Sequence, residues 1–182
     1  MRRTAFAVID DQKRFTINGI LLLIENSVLK MVSTDGHRLC YFRIGVAGGA
    51  TANDLRCLTP IKAVREHVRI LAEEIRANSK TEVKIRKGSP LEFEVGNKLI
   101  TAREVTGAFP NWEMVLPETF DYFAELKTND LKGALTRVGV MADDAHRRVD
   151  FVFFHDRVLL ETKSPETGSS NEEVSCTFQK LE

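Results

Sequence analysis

Neither sign of charge is in excess in this sequence: 26 Lys and Arg face 26 Asp and Glu. Proteins that grip nucleic acid tightly neutralise phosphates with a basic surplus, so this balance argues against a high-affinity, sequence-specific binder. It leaves room for a local basic surface. Cysteine is equally scarce. Cys40, Cys57 and Cys176 are odd in number, far apart and outside any Cys-x-x-Cys pattern. That argues against a disulfide framework or a structural zinc site and fits a reducing cytoplasm. Long apolar runs are missing too, since Asp10 and Asp11 break the first apolar stretch behind Arg2 and Arg3. Neither a signal peptide nor a membrane span is expected, and the expected compartment is the cytoplasm. The sequence has no glycine-rich phosphate loop and no Gly-x-Ser-x-Gly elbow, and no cofactor is expected. A hydrophobic fraction of 43% beside 29% charged residues is nonetheless ordinary for folded protein, and 182 residues suffice for one domain plus part of another.

What the sequence does have is a repeated order of elements. In the middle of the chain Pro60 suits a first helical position, and Ile61, Val64, Val68, Leu71 and Ile75 follow at helical spacing up to Asn78 and Ser79. Strand-like runs follow at residues 81–87, 91–95 and 98–105. In the second of these Leu91, Phe93 and Val95 alternate with Glu92 and Glu94, as in a half-buried strand. With a further strand at residues 55–58, this unit reads β-α-β-β-β. The third unit repeats the order. A strand spans 120–126, Thr128 or Asn129 caps a helix carrying Leu131, Leu135, Val138 and Met141, and strands span 148–154, 157–162 and 173–178. Residues 164–170 read as a loop. The first unit has a helix at 2–9 and strands at 15–24, 28–33 and 38–44, without an opening strand. Asp10-Asp11-Gln12-Lys13-Arg14 and Asp143-Asp144-Ala145-His146-Arg147 echo each other at the helix-to-strand junction. Residues 45–53 read as a flexible connector. Alternating strands with one apolar stripe per helix imply an α+β fold, helices packed on antiparallel sheet.

Three features are candidates for function. Thr34-Asp35-Gly36-His37-Arg38-Leu39 is a hairpin signal, because glycine accepts positive φ without steric cost. It is either a plain solvated turn or a rim that presents His37, Arg38 and the Thr34 hydroxyl to a partner. A metal or nucleophile built on Asp35 and His37 lacks the further ligands or the activated serine that either chemistry needs. Residues 109–117, with prolines at 110 and 117, read as a semi-rigid strap packed on the core, in which Pro110 and Val115 are placed to floor an apolar pocket. On the middle helix Lys62, Arg65, Arg69 and Arg76 form a basic stripe that suits phosphate contacts without base readout, although Glu66, Glu73 and Glu74 share the helix. Arg2, Arg3, Lys13 and Arg14 in the first unit, and Lys127, Lys132 and Arg137 in the third, are looser versions. The acidic pairs Asp10-Asp11 and Asp143-Asp144 suit a cation or, more simply, a solvated loop.

Residues 17–39 (INGILLLIENSVLKMVSTDGHRL) closely resemble the middle domain of the bacterial sliding clamp, the beta subunit of DNA polymerase III. Residues 107–117 (GAFPNWEMVLP) resemble that family's linker, departing at Asn111 and Trp112, and residues 131–153 resemble the opening helix and strand of its third domain. The resemblance implies a middle domain at 1–117 and the first half of a C-terminal domain at 118–182. It implies a non-enzymatic processivity factor that encircles double-stranded DNA as a homodimeric ring, and a peptide pocket that serves polymerase, clamp loader and repair proteins. The matching pocket positions are Ile17, Thr34, Gly36, His37, Arg38, Leu39, Pro110 and Val115. The DNA-facing cations are Arg2, Arg3, Lys13, Arg14, Lys62, Arg65, Arg69 and Arg137. With about two and a half of the family's six units, the chain is expected to be a piece of such a protein that does not close a ring by itself. Two other functions compete: a peptide-binding remnant or decoy that does not encircle DNA, and an enzyme using Asp35 and His37.

Overall fold

In the computed structural model, residues 1–9, 12–46, 55–143, 147–166 and 168–181 are described, with backbone alone at 12, 13 and 15. The Asp10-Asp11 pair, the Lys13 side chain, Asp144, most of the junction echo and most of the expected connector lie outside them. The chain divides into two units, Met1–Leu116 and Pro117–Glu182.

In the first unit β1 (Gly19–Glu25), β2 (Val28–Thr34), β3 (Leu39–Gly45) and β4 (Leu55–Pro60) form one antiparallel sheet in the order β3-β2-β1-β4. Helix α1 (Ile61–Ala77) follows, then a second antiparallel sheet of β5 (Val83–Arg86), β6 (Leu91–Val95) and β7 (Lys98–Ala102). The β-α-β-β-β order of the middle unit is therefore found. Its opening strand, however, pairs with β1 of the preceding unit, which ties the two halves together. Leu55 and Cys57 of β4 face one apolar cluster and Leu58 another, so β4 is stable only with both of its faces covered. Pro60 is the N-cap of α1 and not its first residue, and Asn78 ends the helix by donating its N–H to Glu74 O at 2.7 Å.

Both faces of the first sheet are buried. Toward α1, Ile20, Leu22, Met31 and Cys57 meet Ile61 and Val64 of the helix and Leu91 and Phe93 of the second sheet. On the opposite face Ile17, Leu21, Leu23, Val32 and Leu58 are covered by Phe109 and Trp112. Helix covers one face, as expected, and irregular chain covers the other. That chain is held from its start: Glu104 Oε1 accepts from the Leu58 N–H at 3.0 Å, and the Val105 N–H donates to Leu58 O at 3.0 Å. These bonds satisfy the Leu58 groups on the outer edge of β4.

The first unit corrects two expectations. Residues 2–9 form no α-helix, only a single 3-10 turn at Ala5–Ala7, and the expected start of β1 is a kinked 3-10 stretch, Gln12–Ile17. Side chains take the carbonyls that an α-helix would use. Cys40 Sγ reaches Arg3 O, Ser33 Oγ donates to Thr4 O at 2.6 Å, and Arg38 Nη2 donates to Phe6 O at 3.1 Å. Lateral bonding to β2 and β3 thus replaces helical bonding along the chain.

In the second unit β8 (Tyr122–Leu126), β9 (Asp150–Phe153), β10 (Arg157–Ser164) and β11 (Gly168–Lys180) form an antiparallel sheet in the order β8-β11-β10-β9, with α2 (Thr128–Val138) on one face. Ala134 and Val138 of α2 pack on Val158, Leu160 and Val174. Neither Thr128 nor Asn129 caps the helix. Lys127 stands at the N-cap in an extended conformation and makes no side-chain cap bond, and Thr128 is already the first helical residue. Met141 leaves the helix for a 3-10 turn, Gly139–Met141. The loop expected at 164–170 is mostly ladder, with Ser164 opposite Gly168 and Thr162 opposite Ser170. Its small polar residues are bonded inward: Thr162 Oγ1 donates to Arg148 O at 2.8 Å, and Ser164 Oγ accepts from the Glu166 N–H at 3.3 Å. Among the described residues no helix is long and apolar enough to cross a membrane.

Candidate functional site

The turn between β2 and β3 is built by its own side chains. Thr34 pairs with Leu39 to close the ladder, and the Thr34 hydroxyl donates to Arg38 O at 2.8 Å while accepting from the Gly36 N–H at 3.0 Å. Asp35 Oδ1 accepts from the N–H groups of His37 and Arg38, each at 3.0 Å, and Asp35 Oδ2 accepts from Arg38 Nε at 2.9 Å. The His37 and Arg38 amides, followed by the Arg38 guanidinium, hold the Asp35 carboxyl below its ordinary range. Gly36 has φ +92°, where a side chain would be strained. Asp35 and Gly36 therefore fix the turn, leaving His37 and Arg38 exposed to solvent.

Two groups that the sequence did not assign to this turn stand beside it. The Arg38 guanidinium lies over the Phe6 ring, 5.5 Å from its centroid, and Phe6 is 60% exposed. Arg14, grouped above with the DNA-facing cations, is close enough to Gly36 that an added Cβ there would meet its guanidinium at 3.6 Å. The rim thus carries Arg14, His37 and Arg38 around a carboxylate already bonded within its own turn, a surface that offers donors to carbonyls or carboxylates of a partner. Phe6 has no spacing signal, because its exposure follows from the lost helix.

Behind the turn lies the second apolar cluster. Ile17, 8% exposed, and the half-buried Leu39 pack into it beside Phe109 and Trp112. Trp112 stacks on Tyr41 with centroids 5.1 Å apart and an angle of 19°, so the strap is pinned to β3 by two rings. Pro110 sits between the two buried anchors and is itself exposed. The strap then makes a 3-10 turn at Glu113–Val115 in place of the extended course expected, leaving Met114 81% and Val115 66% exposed. Of the eight candidate pocket residues, four build or border the turn, two belong to the cluster beneath it and two lie on the strap that covers the cluster.

The candidate DNA-facing cations are dispersed. Arg2 and Arg3 are exposed outside any α-helix, with Arg3 over the Phe42 ring at 5.3 Å. On α1, Lys62, Arg65 and Arg69 are exposed, and Arg69 is bound by Glu66 at 3.0 Å and Glu73 at 2.8 Å. On α2, Arg137 is bound by Glu172. Among the described residues no cluster of His, Cys, Asp and Glu could hold a metal ion.

Residues 1–111 match the family model described as DNA polymerase III beta subunit, central domain, and residues 113–181 match its C-terminal domain. The beta sliding clamp of Synechococcus elongatus is 26% identical over 176 residues, 96% of this chain and 46% of that protein. The Pseudomonas aeruginosa clamp is 27% identical over 97% of this chain and 47% of its own length. A crystal structure of the P. aeruginosa sliding clamp bound to griselimycin has a TM-score of 0.85 at 26% identity, covering 99% of this chain and 48% of the other. The chain spans about half the length of the curated relatives it matches.

Proposed function

The chain belongs to the DNA polymerase III beta-subunit family, the sliding clamps, and from that premise we propose that it serves as part of a processivity factor in cytoplasmic DNA replication. In this role it tethers the replicative polymerase and other clamp-binding proteins to double-stranded DNA without catalysing a step itself. Residues 1–117 act as the central domain and residues 118–182 as the first half of the C-terminal domain. The whole ring, a homodimer, holds DNA by enclosing it.

The observation that carries this reading is the self-bonded turn at Thr34–Leu39 standing over an apolar cluster roofed by Phe109 and Trp112. A rigid rim of donors beside apolar anchors is how short peptides are commonly held, since little conformational freedom is lost on binding. Ile17, Thr34, Gly36, His37, Arg38, Leu39, Pro110 and Val115 form this chain's share of the site, and Arg14 and Phe6 extend it. Sliding requires contacts to DNA that are weak and not base-specific. Zero net charge, and cations such as Arg69 that are already matched by glutamates, fit that requirement.

The test is fluorescence anisotropy of a labelled clamp-binding peptide titrated with this chain and with a His37→Ala, Arg38→Ala double variant. The parent is expected to bind and the double variant to lose binding while keeping its fold, because Asp35 still bonds the backbone of the turn. A folded parent that does not bind refutes the peptide-docking role.

A further inference from the structure

Trp112 is the only tryptophan of the chain, and it holds the strap of the first unit by two separate groups. Its ring packs with Ile17, Leu21, Leu23, Val32 and Leu58 and stacks on Tyr41 of β3, 5.1 Å between centroids. Its carbonyl accepts from the Val115 N–H at 3.3 Å and so opens the 3-10 turn Glu113–Val115. Where the Trp112 ring is seated therefore decides where Val115 stands. Phe109, the other buried anchor, holds the chain before Pro110.

Tyr41, the other ring of the stack, is tied to the turn at 34–39. It lies opposite Val32, which is fully buried. It is two residues along β3 from Leu39, so the two side chains share the face that the strap covers. Leu39 in turn closes the ladder by pairing with Thr34. Lys30 of β2 is bonded by Glu25 at 2.6 Å. That bond is the main cause of its raised pKa, to which Tyr41 and Glu113 also contribute. The residue after Trp112 is thus within electrostatic reach of the same face. The donor rim at His37 and Arg38 and the apolar residues Pro110 and Val115 come from distant stretches of chain, and they meet at the Trp112–Tyr41 stack.

We propose that Trp112 and Tyr41 are positioning residues of the peptide site, their stack setting the spacing between the donor rim and the apolar floor and hence the affinity for an extended peptide. The inference rests on the peptide-docking role, and neither ring needs to touch the peptide. A strap seated beforehand leaves the peptide little to order, whereas a strap released at Trp112 has to be ordered as the peptide binds, which lowers affinity. The contact is made by the ring of Tyr41, so phenylalanine can replace it and an aliphatic residue cannot.

The test joins emission of the sole tryptophan to anisotropy of the labelled clamp-binding peptide, with the full chain throughout. Without peptide, Tyr41→Leu, which keeps apolar cover but no ring, is expected to open Trp112 to acrylamide quenching at unchanged circular dichroism. Tyr41→Phe is expected to quench like the parent. With peptide, Tyr41→Leu is expected to weaken binding by about threefold to tenfold, the size of a lost ring contact, and Tyr41→Phe to bind like the parent. A general loss of stability would not act through Val115, so a double-mutant cycle separates the two. In a Val115→Ala background the loss from Tyr41→Leu is expected to fall below about twofold. A folded Tyr41→Leu variant that binds peptide as tightly as the parent overturns the positioning role. Additive losses in the cycle, or quenching indifferent to Tyr41→Leu, overturn it as well. A parent that binds no peptide instead overturns the docking role on which it rests.

Discussion

Single residues here act through what they are denied as much as through what they touch. His67 is fully buried on α1, with its ring against Phe93 at 3.9 Å between centroids. Its Nδ1 faces the Ala63 carbonyl while Nε2 has no partner. Burial lowers the imidazole pKa, against the smaller opposite pull of that carbonyl. The unfolded chain then takes up a proton first as pH falls. Stability is expected to be full above about pH 6.5 and to decline below it, levelling off once the buried ring is itself protonated. Urea midpoints measured at neutral and mildly acidic pH are expected to drop for the parent, and by less for His67→Leu. The apolar stripe read from the sequence, Ile61, Val64, Val68, Leu71 and Ile75, did not include His67, which the packing against Phe93 buries. Cys57 is a similar case: burial pushes its thiol up to about 11, so it behaves as a small apolar side chain in the core.

At the scale of elements, the decisive pairing is β1 with β4. Gly19 lies opposite Pro60, and a Cβ on it would stand 2.5 Å from the Thr59 carbonyl oxygen. Gly19→Ala must push the two strands apart and is expected to cost roughly 1–3 kcal/mol. Gly45→Ala, at the end of β3 with nothing within 4 Å, is expected to change stability by less than about 0.5 kcal/mol. Chemical denaturation of the two variants checks the pair. Periodicity revealed β4, α1 and β6 with close bounds, because Leu91, Phe93 and Val95 are all fully buried while Glu92 and Glu94 are not. It failed at residues 2–9, where lateral hydrogen bonds to Ser33, Arg38 and Cys40 outweigh local helix preference. It failed again at 164–170, where a serine-rich run is strand.

Among the described residues of the molecule, part of the positive charge is matched within the chain. Arg69 and Arg137 are each bound by glutamate, and balanced totals leave no general attraction for phosphate. Binding of a DNA duplex by this chain is accordingly expected to be weak and steeply salt-dependent. Lys62→Ala is expected to lower the slope of log affinity against log salt by about one, and Arg69→Ala by less, because its charge is already matched. Anisotropy of labelled duplex over a salt series reads both slopes.

The sequence by itself determined the α+β class, the β-α-β-β-β order of the middle and third units, the family and the turn at Thr34–Leu39. Each of these rests on short-range information: period, turn chemistry and motif. The tertiary structure decided which sheet β4 joins, that Phe109 and Trp112 roof the second face of the first sheet, and that Arg14 and Phe6 stand beside the turn. It also decided that Phe151, Phe153, Phe178 and Tyr122 stack in a row across the second unit's sheet. These depend on pairings between residues far apart in the chain, where side chains compete for the same carbonyls and faces, and no local pattern records the outcome of that competition.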